Sequence, residues 1–274
     1  MPARYAVMGH PIAHSKSPFI HRRFAAETGE PVAYDALHVE PDGFREAVER
    51  FRAEGGCGLN VTIPFKEEAF ALASRRSERA ERAGAVNTLW FEGIDIRGDN
   101  TDGIGLVRDL VRNLAVELRD RSVLVLGAGG AARGVVGPLL DEAPRELVIA
   151  NRTPSRAVEL AGRFAGQGPV STAVFEALAT ARFDVVVNAT ASSLAGDLPS
   201  LPAGTLRAGG VAYDTAYAAQ PTPFVRWGAG EGAAVAVDGL GMLVEQAAES
   251  FRLWRGREPR TGPVIDALRT HLAS

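Results

Sequence analysis

Cysteine is almost missing from this chain: Cys57 stands alone among 274 residues. A single thiol excludes an intramolecular disulfide framework and any multi-cysteine zinc site, and it suits a reducing compartment. Lysine is nearly as scarce. Of 30 basic residues only Lys16 and Lys66 are lysines; the others are arginine. An arginine-rich composition says little about function, but it makes a retained lysine worth a question, because lysine can give up its proton and arginine cannot. Strong net charge is also absent. The balance of −3 leaves no basic footprint for nucleic acid or an acidic membrane. No apolar run is long enough to span a bilayer and no secretory-type leader stands out, so a cytoplasmic location is the expectation. With 46% hydrophobic and 23% charged residues, the composition is that of a globular protein large enough for one or two domains.

What is present is arranged around Arg121-Ser-Val-Leu-Val-Leu-Gly-Ala-Gly-Gly-Ala-Ala-Arg-Gly134. The apolar run Val123 to Leu126 reads as a buried parallel strand. It meets Gly127, Ala128, Gly129, Gly130 and Ala131, then a segment that suits a helix to Leu140. A strand, a glycine turn and a helix start in G-x-G-x-x-A form, with Ala132 in the third position, predict a dinucleotide-binding turn. Glycine lets a pyrophosphate approach the main chain, and the helix start offers free N–H groups. An ordinary tight turn is the competing reading.

The end of the next strand, Glu146 to Ala150, chooses between cofactors. An NAD site usually carries an acidic residue there, to bond the ribose 2′-hydroxyl. Here Asn151, Arg152, Thr153 and Arg156 follow instead. A 2′-phosphate would repel a carboxylate and attract guanidinium groups, so the pattern predicts NADP(H) over NAD(H).

Before the glycine turn, strands are expected at 5–9, 32–39 and 58–63, with helices at 18–27 and 41–53. A hairpin around Glu92-Gly93 and a helix over 104–118 follow. That order marks an α/β domain of its own. After the turn the alternation continues through strands at 183–187, 211–214 and 234–237, and the chain closes with helices at 240–255 and 264–271. The expected fold is α/β. An N-terminal substrate domain spans 1–103, a doubly wound Rossmann-type NADP domain spans 104–238, and C-terminal helices over 239–274 return to the first domain.

A nicotinamide domain implies hydride transfer to a carbonyl carbon, whose oxygen then needs a proton. His10 and His14 are candidates by residue type. Lys66 with Asp102 is the other pair, because an ammonium beside a carboxylate stays charged and oriented. Spacing alone does not decide between them.

The motifs Gly9-His-Pro-Ile-Ala-His-Ser-Lys-Ser-Pro18, Asn60-Val-Thr-Ile-Pro-Phe-Lys66, Gly84-Ala-Val-Asn-Thr88, Gly98-Asp-Asn-Thr-Asp-Gly103, Asn151-Arg-Thr153 and Asp238-Gly-Leu-Gly-Met-Leu-Val-Glu-Gln-Ala247 occur in this order. Over nearly its whole length the chain resembles the shikimate dehydrogenase family. The resemblance implies NADPH-dependent, reversible reduction of 3-dehydroshikimate to shikimate, a step toward chorismate and the aromatic amino acids, in a cleft between two domains. It implies Lys66 and Asp102 as the catalytic pair, and Ser15 and Ser17 on the substrate carboxylate. Thr62, Asn87, Tyr217 and Gln246 would surround the ring hydroxyls. On the cofactor side it implies Gly127 to Ala131 at the pyrophosphate, Asn151 to Arg156 at the adenosine phosphate, and Thr215, Gly239 and Glu78 beside the cofactor. No metal is implied, and a homodimer is left open.

Plainer readings stand beside these. Ser15 and Ser17 also suit a turn or helix cap, Tyr217 a half-buried aromatic, Gln246 a solvated helix position, and Cys57 a small core residue. Two stretches depart from the family pattern: Ala191-Ser-Ser-Leu194, where serine and glycine are common, and Thr215-Ala216, where bulkier side chains are usual. Both bear on nicotinamide packing. A quinate-tolerant dehydrogenase and a catalytically silent NADP-binding regulator are the rival functions.

Overall fold

The computed structural model describes residues 2–273, and in the Ala191–Leu194 stretch the Leu194 side chain lies outside what is described. In chain order the elements are β1 (Ala3–Gly9), α1 (Ser17–Thr28), β2 (Val32–His38), α2 (Phe44–Ala53), β3 (Gly56–Val61), α3 (Lys66–Leu72), β4 (Arg75–Arg76), α4 (Glu78–Ala83), β5 (Thr88–Glu92), β6 (Asp95–Asp99) and α5 (Asp102–Arg108). A π-helical turn (Asp109–Asn113) follows. Then come β7 (Ser122–Leu126), α6 (Gly130–Asp141), β8 (Glu146–Ala150), α7 (Pro154–Arg163), β9 (Val170–Ala173), β10 (Phe183–Asn188), β11 (Leu206–Asp214), α8 (Pro223–Gly230), β12 (Val235–Val237), α9 (Leu240–Arg255) and α10 (Gly262–Ala273).

The chain divides into two compact units. One holds the residues up to Gly105 together with Val244–Leu268; the other holds Leu106–Leu243 and the residues from Arg269 on. The residues 239–243, and those beyond 268, thus group with the second unit, although the sequence places them with the first.

The first unit is built on a mixed six-stranded sheet in the order β2-β1-β3-β5-β6-β4. β1 runs parallel to both β2 and β3, whereas the β5–β6 hairpin runs antiparallel to β3. Residues 5–8 of β1 are all buried, as expected of a strand covered on both faces. α2 buries Phe44, Ala47, Val48 and Phe51, an i, i+3, i+4, i+7 stripe that packs on the sheet. The parallel strands β1 and β3 and the antiparallel hairpin share one consequence. The C-terminal ends of β1, β3 and β6 and the start of β5 lie at the same edge of the sheet.

The second unit carries an all-parallel sheet in the order β12-β11-β10-β7-β8-β9. This is the doubly wound arrangement, with the order reversing between β7 and β10. Val123 to Leu126 are fully buried, each worth about 1.5–3 kcal/mol of hydrophobic stabilisation.

Several elements differ from expectation. α2 starts at Phe44 rather than Pro41, because Gly43 closes a turn on the Glu40 carbonyl before the helix begins. The helix expected to reach Leu118 leaves α-geometry at Asp109, where the buried carboxylate accepts from the Tyr213 hydroxyl at 2.6 Å. The short edge strands β4 and β9 carry too little apolar signal to be read beforehand, and the helix α8 follows Thr222, which caps it. Cys57 is only partly buried.

Candidate active site

Lys66 is the first residue of α3, just after β3. The turn that delivers it is closed by the Phe65 N–H donating to the Thr62 carbonyl at 3.0 Å. Phe65 is fully buried and stacks on Phe44 with ring centroids 4.9 Å apart, which anchors the turn in the core. Asp102 is the first residue of α5, just after β6. The hairpin therefore returns Asp102 to the edge where β3 ends, and the Lys66 ammonium donates to Asp102 Oδ2 at 2.5 Å. The two side chains are 15% and 9% exposed, so the pair is largely shielded from water.

Asp102 is held on its other oxygen as well, by the Asn87 amide at 2.8 Å. Asn87 is buried, and all four of its hydrogen-bonding positions are engaged. Its second N–H points to Thr101 Oγ1 at 2.9 Å, and its Oδ1 accepts from the Thr101 N–H at 2.9 Å and the Thr88 hydroxyl at 2.8 Å. The main-chain donor at Thr101 fixes which end of the amide faces Asp102. Gln246 Oε1 lies 3.3 Å from the same Asn87 nitrogen. Behind this layer, the Asn60 amide reaches Ser250 Oγ at 3.0 Å and Thr88 Oγ1 at 3.2 Å, and its own Oδ1 accepts from the Tyr34 hydroxyl at 2.7 Å. A fixed network of this kind holds a carboxylate in one orientation.

Ser15 and Ser17 lie after β1, at the same sheet edge. The Ser15 hydroxyl accepts from the Ser17 N–H at 3.3 Å, and Ser17 is buried at the start of α1. Thr62 follows β3, and its N–H donates to the Met8 carbonyl at 3.0 Å. Lys66, Asn87, Asp102 and Gln246 are thus brought into one hydrogen-bonded group, with Ser15, Ser17 and Thr62 on the loops that leave the same edge. Glu78 is an exposed residue opening α4 of this unit. His21 is structural: it is fully buried, stacked on Tyr34 at 4.1 Å, and burial lowers its pKa to about 3.

In the second unit, Gly127 follows β7 with φ +106°, and a Cβ there would come within 2.9 Å of the Ala189 carbonyl oxygen. Both facts require glycine. α6 begins at Gly130 with Gly129 as its N-cap and no side chain capping it, so its first N–H groups face outward uncapped. A Cβ at Gly129 would meet open space. At the end of β8, Asn151 donates to the Thr153 carbonyl at 2.9 Å and closes the turn into α7. Arg152 and Arg156 are exposed on this turn, and no carboxylate among the described residues pairs with either. These features fit a phosphorylated dinucleotide: an uncapped helix start at a glycine turn, and two free guanidinium groups one strand away.

Thr215 and Gly239 are also brought together. Gly239 donates to the Ala216 carbonyl at 2.9 Å, and a Cβ on it would lie 2.4 Å from the Thr215 carbonyl oxygen. Tyr217 follows β11 in the same unit and is half-buried. The departing loop after β10 has its own bonds. Ser193 accepts from Asn188 at 3.1 Å, and Thr190 and Ser192 hydroxyls lie 2.6 Å apart. Asn188 donates to Asp214, whose burial pushes its carboxyl above the usual range.

Sequence reasoning assigned no role to Asn60, Thr101 or Ser250. A signal existed for two of them: Asn60 lies two positions before Thr62, and Ser250 lies one helical turn after Gln246.

Three family models match the chain. They are the shikimate dehydrogenase substrate binding domain over residues 7–89, shikimate / quinate 5-dehydrogenase over 109–195, and the shikimate 5'-dehydrogenase C-terminal domain over 239–269. A shikimate dehydrogenase (NADP(+)) of Alkalilimnicola ehrlichii is 59% identical over 269 residues, covering 98% of this chain and 99% of that one. One of Herminiimonas arsenicoxydans is 57% identical over 272 residues, covering 99% of both. Among solved structures, the Ael1 enzyme from Pseudomonas putida is 49% identical with a TM-score of 0.90, covering 97% of this chain and 98% of that one. The Thermus thermophilus shikimate 5-dehydrogenase in complex with NADP(H) and shikimate is 34% identical with a TM-score of 0.88, covering 98% of this chain and 100% of that one. Agreement of this extent, over both units and in the order of the site motifs, places the chain in the shikimate dehydrogenase family.

Proposed function

We propose that this chain is an NADP-dependent shikimate dehydrogenase in which Lys66 and Asp102 move the proton. The reaction is the reversible reduction of 3-dehydroshikimate to shikimate, on the route to chorismate and the aromatic amino acids. The observation that carries the reading is the shielded Lys66–Asp102 pair at 2.5 Å, with Asn87 on the opposite carboxylate oxygen.

When bound, NADPH supplies the hydride that the C3 ketone carbon accepts. Gly127 to Ala131, Asn151, Arg152, Thr153 and Arg156 would hold it, with Thr215 and Gly239 toward the nicotinamide and Glu78 as a further contact. Lys66 stabilises the growing negative charge on the ketone oxygen and gives it a proton; in the oxidative direction the neutral amine takes that proton back. Asp102 keeps the amine oriented, and Asn87 keeps Asp102 from rotating away. Ser15 and Ser17 would bind the substrate carboxylate, and Thr62, Asn87, Tyr217 and Gln246 the ring hydroxyls, Asn87 by exchanging its N–H bond to Thr101 Oγ1 for one to substrate. A carboxylated ring with several hydroxyls needs short donors and acceptors of this kind.

On this reading the substrate domain is the first unit and the NADP domain the second. A cytoplasmic location and a homodimer belong to the proposal too. No helix among the described residues is long and apolar enough to cross a membrane. The test is nicotinamide absorbance with shikimate or quinate, each with NADP⁺ or NAD⁺. Shikimate with NADP⁺ is expected to be the best pair. Equal turnover of quinate, or equal efficiency with NAD⁺, would overturn the specificity, and no turnover would overturn the activity.

A further inference from the structure

We propose that His10, His38 and Glu40 form a binding site for a divalent transition metal of the zinc class. The reading is independent of the dehydrogenase site. His10 directly follows β1 and His38 ends β2. The two strands are parallel neighbours in the register Gly9↔His38, so the two imidazoles leave adjacent strands at the same edge. Their ring centroids are 4.8 Å apart. Glu40 lies two residues after His38 and points back at both: its Oε1 is 3.1 Å from His38 Nε2 and its Oε2 is 3.8 Å from His10 Nδ1. One ligand atom from each of the three side chains lies within 4.8 Å of the others, and among the described residues no other trio of His, Cys, Asp or Glu does so.

The chemistry of the donors selects the ion. Two imidazoles and one carboxylate suit zinc, cobalt, nickel or copper rather than calcium or magnesium, which prefer oxygen alone. Ligands about 2.0 Å from a tetrahedral ion lie about 3.3 Å apart, so the His38–Glu40 pair is already at coordinating separation and the trio, within 4.8 Å, closes by up to about 1.5 Å on binding. His10 supplies a second, separate observation. Its Nδ1 is sealed from solvent and has no hydrogen-bond partner among the described residues. Buried polar atoms are rarely left in that state, and a metal ion would satisfy this one. The fourth position would go to water. Occupied, the site would tie the first residue of the His10–Lys16 loop to β2.

The test is isothermal titration of the untagged, chelator-treated chain with Zn²⁺, paralleled by visible absorption with Co²⁺. The expected result is one equivalent bound with a Kd on the order of 1–10 µM, weakened more than about tenfold in His38→Ala and in Glu40→Gln. Both residues are exposed, so both variants should fold, which the thermal transition without metal checks. Zn²⁺ should raise that transition in wild type and leave it unmoved in His38→Ala. Cys57→Ser should bind as wild type does. Absence of binding up to about 1 mM, undiminished binding by His38→Ala, or loss of binding in Cys57→Ser would each overturn the site.

Discussion

The two units hold their candidate site residues by opposite means. In the first, the site is made of side chains: Lys66, Asp102, Asn87, Thr101 and Gln246 bond to one another, and Asn60, Thr88 and Ser250 support them from behind. In the second, the glycine turn between β7 and α6 is made of main chain. Gly127, Gly129 and Gly130 contribute shape and N–H groups, and Arg152 and Arg156 stand exposed at the end of the neighbouring β8. A side-chain lattice can fix a proton donor to within a hydrogen bond, but every member is needed. A main-chain cradle tolerates much sequence change, provided no Cβ appears where the ligand or a neighbouring carbonyl must sit.

The contrast is broken most severely at the lattice. Asp102→Asn keeps the shape but removes the charge that orients Lys66, and kcat should fall by about 10²–10³ with little change in KM for NADP⁺. Steady-state kinetics in both substrates separates the two constants. At the margin of the cradle the effect should have the other sign pattern. Arg152→Ala with Arg156→Ala should raise KM for NADP⁺ by about 10²-fold and leave NAD⁺ nearly untouched, since each charge-assisted bond contributes about 1.5–3 kcal/mol.

Asn60 sharpens the comparison, because it sits one layer behind the lattice. Asn60→Ala removes the acceptor of the Tyr34 hydroxyl and one donor that Ser250 and Thr88 share. It should cost about 1–3 kcal/mol in denaturant unfolding and lower kcat more than it raises any KM. Gly127→Ala tests the cradle itself: strain at positive φ and the approach to the Ala189 carbonyl should cost about 1–3 kcal/mol and weaken NADP⁺ binding.

Near neutral pH the smallest effect is set by His21, and it grows as pH falls. Above pH 6.5 both folded and unfolded chains keep it neutral. As pH falls, the unfolded chain takes up a proton while the folded chain, with a pKa of about 3, does not. Stability contributed by the neutral ring should therefore be lost between pH 6.5 and about 3, at up to about 1.4 kcal/mol per pH unit. His21→Phe should flatten that part of a stability-against-pH curve.

The main-chain half of the molecule was the more legible in sequence. Val123 to Leu126, the glycines after it and the missing acidic residue beyond β8 are local signals, and the strand, glycine turn and helix start they predict are all present. The motif Asn60 to Lys66 was equally visible, and the family resemblance attached roles to its ends. The contact of Lys66 with Asp102 was not legible from spacing, because 36 residues separate them and the β5–β6 hairpin closes the gap. Ser250 lies 190 residues from Asn60, and only the return of α9 to the first unit explains their bond. The π-helical turn at Asp109 was hidden for the same reason: its cause, the Tyr213 hydroxyl, is 104 residues away.

The most direct test of the central claim is the single-turnover rate of hydride transfer in Lys66→Met, with shikimate and NADP⁺ bound to a chain whose fold is checked by its thermal transition. The account predicts a rate lower by about 10³-fold or more, with NADP⁺ affinity within about twofold of wild type. A rate within about tenfold of wild type would contradict it.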